Sequence, residues 1–385
     1  MRFLKYMKFK LLILSFFIFF PLTGYCKEIK IGLITTSGQV SISSNGKAKL
    51  INLLNNAVIR KINNPETYTL ENVKGLIKIT DKSKGTSLGA FRGPIKLITE
   101  KNYYVTCNKN PYRGNLTIFT NNENKNITIV NELDIEDYLI SVVPSEIPYK
   151  WHQEVLKAQS VAARSYAIGF LGRRKNRGYD LESSVEDQVY LGVHSERKST
   201  SDAVTETKGK ILVDKDNSPL IALYHSSGGG YTDSIENLWE KEDIKPSVYI
   251  QPRPDYDDNS PHFKWFRNYK ITDLNNLLSS LNIGNIVDIT PISKSISGRV
   301  TWLKLTGTTG SKTIRGEELR LLLKLPSSKF NLAIKNDQVL FAGRGYGHGL
   351  GLSQWGSKEL AEHGFTYEQI LSHYYSYAML VKYIE

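Results

Sequence analysis

Glu146 stands between Pro144 and Pro148 in the stretch VVPSEIPYKWHQEVLKAQSVAARSY, Val142 to Tyr166, directly ahead of an amphipathic helical pattern. A proline fixes its own φ at about −65°, so the sequence predicts a short, stiff loop that aims the carboxyl group. Apolar Val142, Val143, Ile147 and Trp151 surround it in sequence and would partly shield it from water. A rigid carboxyl in an apolar wall suits general acid chemistry on a sugar. Two effects compete there. The positive pole of the following helix lowers a carboxyl pKa, whereas apolar neighbours raise it. Sequence leaves the winner open, and the plain alternative is a charge that merely favours the helix start.

Further polar groups follow at intervals. Gln159, Ala162, Ala163 and Tyr166 share one helical face, which makes Gln159 and the nearby Arg164 candidates for ligand binding or for a packed helix contact. Asp187–Gly192, DQVYLG, carries Gln188 and Tyr190, an amide and a phenol suited to sugar hydroxyl and acetamido groups. Tyr224–Gly230, YHSSGGG, contributes His225 and Ser226. It lacks the G-x-S-x-G elbow and any recognisable triad order, and a sharp backbone bend explains its glycines equally well. Gly343–Gly351, GRGYGHGLG, has alternate glycines that leave one side bare for a ligand or for another strand. It fits neither nucleotide-loop pattern. His348, Ser353, Gln354 and Trp355 make a compact polar and aromatic group that could hold a saccharide.

The elements that must position these groups divide near residue 127. Residues 1–26 read as a secretory signal, with Arg2, Lys5, Lys8 and Lys10 ahead of the apolar run Leu11–Phe20. Gly24 and Cys26 are the small residues before a cut at Lys27; a lipid-anchored Cys26 is disfavoured by bulky Tyr25. An uncut anchor is the lesser option, so export to the periplasm or cell envelope is expected, with no stable membrane span. Only Cys107 then remains, and the formal charge of +12 falls to +8 with the four lost cations. That surplus suits an anionic polymer or a soluble surface. Zinc-finger spacing, aromatic RNA-binding strands and heptads are lacking, so nucleic acid is not an expected partner. With seven His, no H-E-x-x-H and one mature Cys, no metal is expected from the motifs.

Residues 27–126 read as short strands: Ile29, Ile31 and Leu33 alternate, as do Val40 and Ile42, although Leu50–Lys61 could be a helix. Residues 127–385 read as a mixed α/β unit with a long helix after the Glu146 loop. That helix spans Trp151 to about Phe170, and Gly172 with Arg173–Lys175 ends it. Strands are expected at Gly209–Val213, Leu220–His225 and Val300–Leu305, with helices at Gly316–Leu325 and after the Thr366/Gln369 capping-box pair. Segregated strands and helices give an α+β class.

Taken in order, LDIEDYLISVVPSEIPYKWHQEVLKAQSVAARSYAI, DQVYLG, TETKGKILV, LIALYHSSGGGYTDSIENLW, IRGEELRLLLKL and GRGYGHGLGLSQWGSKELAEHGFTYEQILSHYY resemble the stage II sporulation protein D/amidase-enhancer family. The resemblance covers about residues 127–377 and implies a peptidoglycan lytic transglycosylase acting on glycan strands freed of stem peptides. It carries the catalytic role to Glu146, and on their own chemistry Gln188, Tyr190, His348, Ser353 and Gln354 are the expected saccharide anchors. Some members hold zinc with two Cys and a His; this chain keeps His225 but lacks the Cys, so no cofactor is expected. Ser165 stands where the family pattern suggests Thr. Two other classes stay open. One is a non-catalytic wall-binding activator of a partner amidase. The other is a hydrolytic muramidase, which would need a second carboxylate from Asp187, Glu136 or Asp137.

Overall fold

The computed structural model describes residues 27–121, 125–239 and 248–383, so the expected signal lies outside the described residues. The α+β class holds: strands dominate up to Asp134, and helices and strands mix after it.

Two antiparallel sheets form the first part. One runs in the order Val58–Ile62, Ala48–Asn52, Ile95–Thr99, Asn115–Asn121, Asn126–Asp134 and Glu28–Thr36, with the two-residue strand Leu181–Glu182 added in parallel at its edge. The other orders Asn110–Tyr112, Val105–Cys107, Val40–Ser44, Glu66–Val73, Leu76–Asp81 and Ser87–Phe91. Alternation drives the packing. Val40 and Ile42, or Ile77 and Ile79, are fully buried while their neighbours face outward. Leu50–Lys61, expected as an alternative helix, is a hairpin instead. Asn52 and Asn55 accept backbone N–H groups of Leu54 and Ala57 at 2.9 and 3.1 Å, and Asn56 takes φ 57°. Side chains that hold the backbone in a turn outcompete a weak helical spacing.

The strand Asn126–Asp134 pairs on both sides and leads straight into helix α1 (Ile135–Glu146), capped by Asp134, which accepts the Glu136 N–H at 2.6 Å. Helix α2 (Gln153–Gly169) follows, and α3 is Lys198–Glu206. One hydrophobic core runs from Ile29 and Ile31 through Tyr138, Val142, Val161 and Ala162 to Ile370, across the boundary expected at residue 127. The first sheet and the helices therefore stabilise each other.

A second core begins beyond the short α4 (Ile235–Leu238). There α5 (Ile271–Leu277) and α6 (Gly316–Leu323) pack on two three-stranded sheets, and Trp265, Leu303, Leu305 and Phe341 fill the interior. The chain returns to the first core through α7 (Gln354–Glu362) and α8 (Tyr367–Tyr374), the latter opened by the expected capping box. Leu220–His225 is mostly irregular, with only Tyr224–His225 as strand.

Candidate active site

Glu146 is the last residue of α1 rather than part of a loop. Pro144 sits in the final turn, where it costs one backbone bond, and Ser145 Oγ donates to the Ser141 carbonyl at 2.7 Å. Ile147 is extended and buried, and its N–H closes the helix on the Val143 carbonyl at 3.1 Å. The helix end has electrostatic weight. At the C-terminus of α1 the carboxyl meets a negative pole, which disfavours the anion.

The carboxyl is held on the side of the 182–192 loop. The Val189 N–H donates to Glu146 Oε1 at 2.8 Å, and the Tyr224 hydroxyl bonds the same carboxyl. Burial lifts the Glu146 pKa from its ordinary 4.5 to about 7, against the lowering pull of the Val189 and Tyr224 bonds. Tyr224 is fixed in turn by Gln188, whose Nε2 donates to its hydroxyl at 3.0 Å and to the Ala163 carbonyl at 3.3 Å. Tyr138 closes the set by donating to Gln188 Oε1 at 3.2 Å. From the far end of the chain, Gln354 Nε2 donates to the Glu146 carbonyl at 3.3 Å.

Gln188 and Gln354 are thus brought to Glu146, as positioning groups rather than open ligand donors. His348 and His225 form a neighbouring aromatic group. Their rings stand 5.5 Å apart and Trp239 lies 5.0 Å from His348. The strand Tyr224–His225 pairs in parallel with Leu352–Ser353, and the Ser226 carbonyl accepts the Trp355 N–H at 3.0 Å, so this group is joined to the two segments whose Tyr224 and Gln354 contact Glu146. Trp355 meets Trp151 edge-on at 5.0 Å.

Other sequence candidates lie in the interior. Arg164 is fully buried, forked onto Glu136 at 2.7 and 2.9 Å and bonded to the Val204 and Lys210 carbonyls. It ties α2 to α1, α3 and the strand Lys210–Val213, not to a ligand. Tyr190 donates to Asn131 at 2.7 Å and packs between Tyr112 and Tyr138, so it locks the loop to the first sheet. Ser353 caps α7 and is wholly buried. Gln159 is buried with neither amide atom partnered among the described residues.

The glycine-rich segments are occupied by protein. Gly347, Gly349 and Gly351 all take positive φ, and a Cβ on Gly351 would lie 2.0 Å from the Leu223 carbonyl. The bare side is thus filled by the neighbouring chain, not by a ligand. The N–H groups of Gly228, Gly229 and Gly230 donate to Asp255 and Asp257 at 2.7 to 2.9 Å, so that loop is bent around two carboxylates. Burial and then Asp257 push Asp255 up to about 7.

Tyr224, Tyr138 and the Val189 amide were missed as site residues by sequence reasoning. Only the position of Tyr224 beside His225 hinted at a role. His225 Nε2 is buried and unpartnered among the described residues, and among those residues no three His, Cys, Asp or Glu side chains gather there to hold a zinc ion.

Fold and site define an α+β protein that presents one neutral-leaning carboxyl at a helix end. Residues 123–213 match the family model described as stage II sporulation protein, and residues 210–351 match a domain of unknown function (DUF8618). An uncharacterized protein of Brachyspira hyodysenteriae is 29% identical over 92% of this chain and 93% of its own length. Stage II sporulation protein D of Bacillus subtilis is 30% identical over 64% of this chain and 74% of its own. The amidase enhancer of the same bacterium is also 30% identical, with 40% of its length covered. The chain belongs to the stage II sporulation protein D/amidase-enhancer family, and with it to proteins of cell-wall-related role.

Proposed function

We propose that this chain is an exported peptidoglycan lytic transglycosylase with Glu146 as its acid and base. The observation that carries the reading is the mostly buried Glu146 carboxyl, its pKa raised to about 7 at the end of α1 and braced by Val189 and Tyr224, whereas the other raised carboxyl, Asp255, is tied to the Gly228 N–H and the Tyr374 hydroxyl. Neutral Glu146 donates its proton to the oxygen linking N-acetylmuramic acid to N-acetylglucosamine. The C1–O bond breaks, N-acetylglucosamine leaves as an alcohol, and positive charge spreads over the muramic ring carbon and oxygen. The muramic C6 hydroxyl then closes onto C1 and returns its proton to the Glu146 carboxylate. A 1,6-anhydro end results, no water is consumed, and the acid is regenerated.

A hydrolase would need a second carboxylate to position water. Asp187 is fully buried and clamped by Arg173 and Arg174 at 2.7 Å each. Glu136 is committed to Arg164 and to the Gly209 N–H. Asp137 lies in the first turn of α1, at the opposite end of the helix from Glu146. All three candidates are thus engaged or remote, which favours the lyase.

The amidase-enhancer relative supports a second reading, a wall-binding activator in which Glu146 is only a hydrogen-bonding group. Incubating Lys27–Glu385 with peptide-free glycan strands and weighing the products by mass spectrometry separates the readings. The enzyme yields anhydro ends that vanish in Glu146→Gln, whereas the activator binds strands and yields none. Reducing ends would indicate hydrolysis.

A further inference from the structure

A cavity of about 330 Å³ is lined by Pro144, Ser145, Tyr149, Leu191, His194 and Arg197, on the two segments that carry the Glu146–Val189 contact. Its walls continue both partners of that contact. Pro144 and Ser145 precede Glu146, and Leu191 follows Val189 by two residues. The volume is at the small end of ligand sites and suits one substituted sugar ring.

Arg197 is the cavity's cation, and its geometry is specific. Nη1 donates to the His194 and Glu196 carbonyls at 3.0 and 2.7 Å, which fixes the plane of the guanidinium. Nε and Nη2 make no hydrogen bond to a described residue, so the edge that grips a carboxylate in two parallel bonds is left available. The nearby acid Glu196 does not compete, because Arg113 holds both of its oxygens at 2.7 Å. The guanidinium carbon lies 5.4 Å from the centre of the Tyr149 ring, whose backbone is pinned by Ser199 Oγ at 2.6 Å. Tyr149 and Leu191 are both partly open to solvent and offer apolar surface to a sugar face.

We propose that this cavity is the subsite for a sugar ring bearing a free carboxylate, the lactyl group of N-acetylmuramic acid, with Arg197 as its counter-ion and Tyr149 as its platform. The inference rests on the transglycosylase reading for the identity of the glycan. It supplies a physical cause for selectivity. A stem peptide converts that carboxylate to an amide, which removes the charge and adds bulk at the cavity mouth.

The test uses Glu146→Gln as a background that binds without cutting. Affinities are measured for peptide-free glycan oligomers and for N-acetylglucosamine oligomers of equal length, which lack the carboxylate. Adding Arg197→Gln is expected to weaken the first by about tenfold or more and leave the second unchanged, while Arg197→Lys, a charge without the fork, recovers part of the loss. Equal loss for both glycans, or loss for neither, overturns the proposal. Should the wild type form no anhydro ends while this binding pattern stands, the subsite holds and the enzymatic reading alone fails.

Discussion

Glu146→Gln tests the proton without any substrate. A carboxyl whose pKa rises from 4.5 in the unfolded chain to about 7 in the folded one binds its proton more tightly in the native state. At about 1.4 kcal/mol per pKa step, the native preference amounts to up to roughly 3 kcal/mol. Below pH 4.5 both states are protonated and Glu146 adds no pH dependence. Between 4.5 and about 7 only the native state keeps the proton, so stability falls as pH rises. Above that range both have lost it, and the full deficit remains.

Glutamine keeps the shape and the Val189 acceptor but cannot ionise. The difference in unfolding free energy, wild type minus variant, should therefore decline by up to roughly 3 kcal/mol between about pH 4 and pH 8. Urea denaturation of Lys27–Glu385 at a series of pH values measures it, and other titrating groups cancel in the difference. Parallel curves for the two proteins would mean that Glu146 ionises like an exposed acid. The general-acid role would then be lost, whatever products appear.

Other expectations follow from the same contacts. Activity should fall as pH rises through about 7, where Glu146 loses its proton; Tyr224→Phe, which deletes a bond favouring the anion, should move that limb of the pH–rate profile to higher pH. Arg164→Lys should cost about 3 kcal/mol in denaturant melts, because the fork on Glu136 and two carbonyl bonds go unreplaced; a ligand role would instead raise KM at unchanged stability. Gly349→Ala should destabilise by about 2 kcal/mol or more, since φ is +83° and the new Cβ would meet the buried Arg299 guanidinium at 2.2 Å, a loss read as a lowered Tm. Cys107, with its thiol pushed up to about 12 by burial, should react with a thiol probe only on unfolding.

The parts of this molecule that were legible in sequence are those fixed by neighbours along the chain. Thr366 and Gln369 announce α8 because a capping box is a four-residue event. Helix α2 is visible because its apolar spacing persists over 17 residues. Glu146 was legible as a candidate, but its helix was not, because two nearby prolines read as a loop and the tolerance of Pro144 depends on the terminal turn closed by Ile147. Tyr224 and Gln188 were obscure for a different reason. Each is an ordinary polar residue on its own segment, and their bond joins positions 36 residues apart. The acid pair Asp255 and Asp257 belongs to no motif in the sequence, because the three backbone amides that hold it come from another segment.

Those distant contacts decide the chemistry. A group that must first give a proton and then take one back works best when neither form is strongly preferred near the working pH. Burial and the negative end of α1 push Glu146 toward the neutral acid. The Val189 amide and the Tyr224 hydroxyl pull toward the carboxylate. Burial outweighs the two bonds without abolishing ionisation, and the balance falls at about 7. The opposing groups come from separate places, the end of α1, the 182–192 loop and the Tyr224 strand, so the balance exists only when all three are assembled. Gln188 joins the last two through Tyr224 and α2, and Tyr138 of α1 joins the first to Gln188. The wholly buried Gln188 is therefore the residue on which the acidity of Glu146 depends at one remove, acting without touching a substrate.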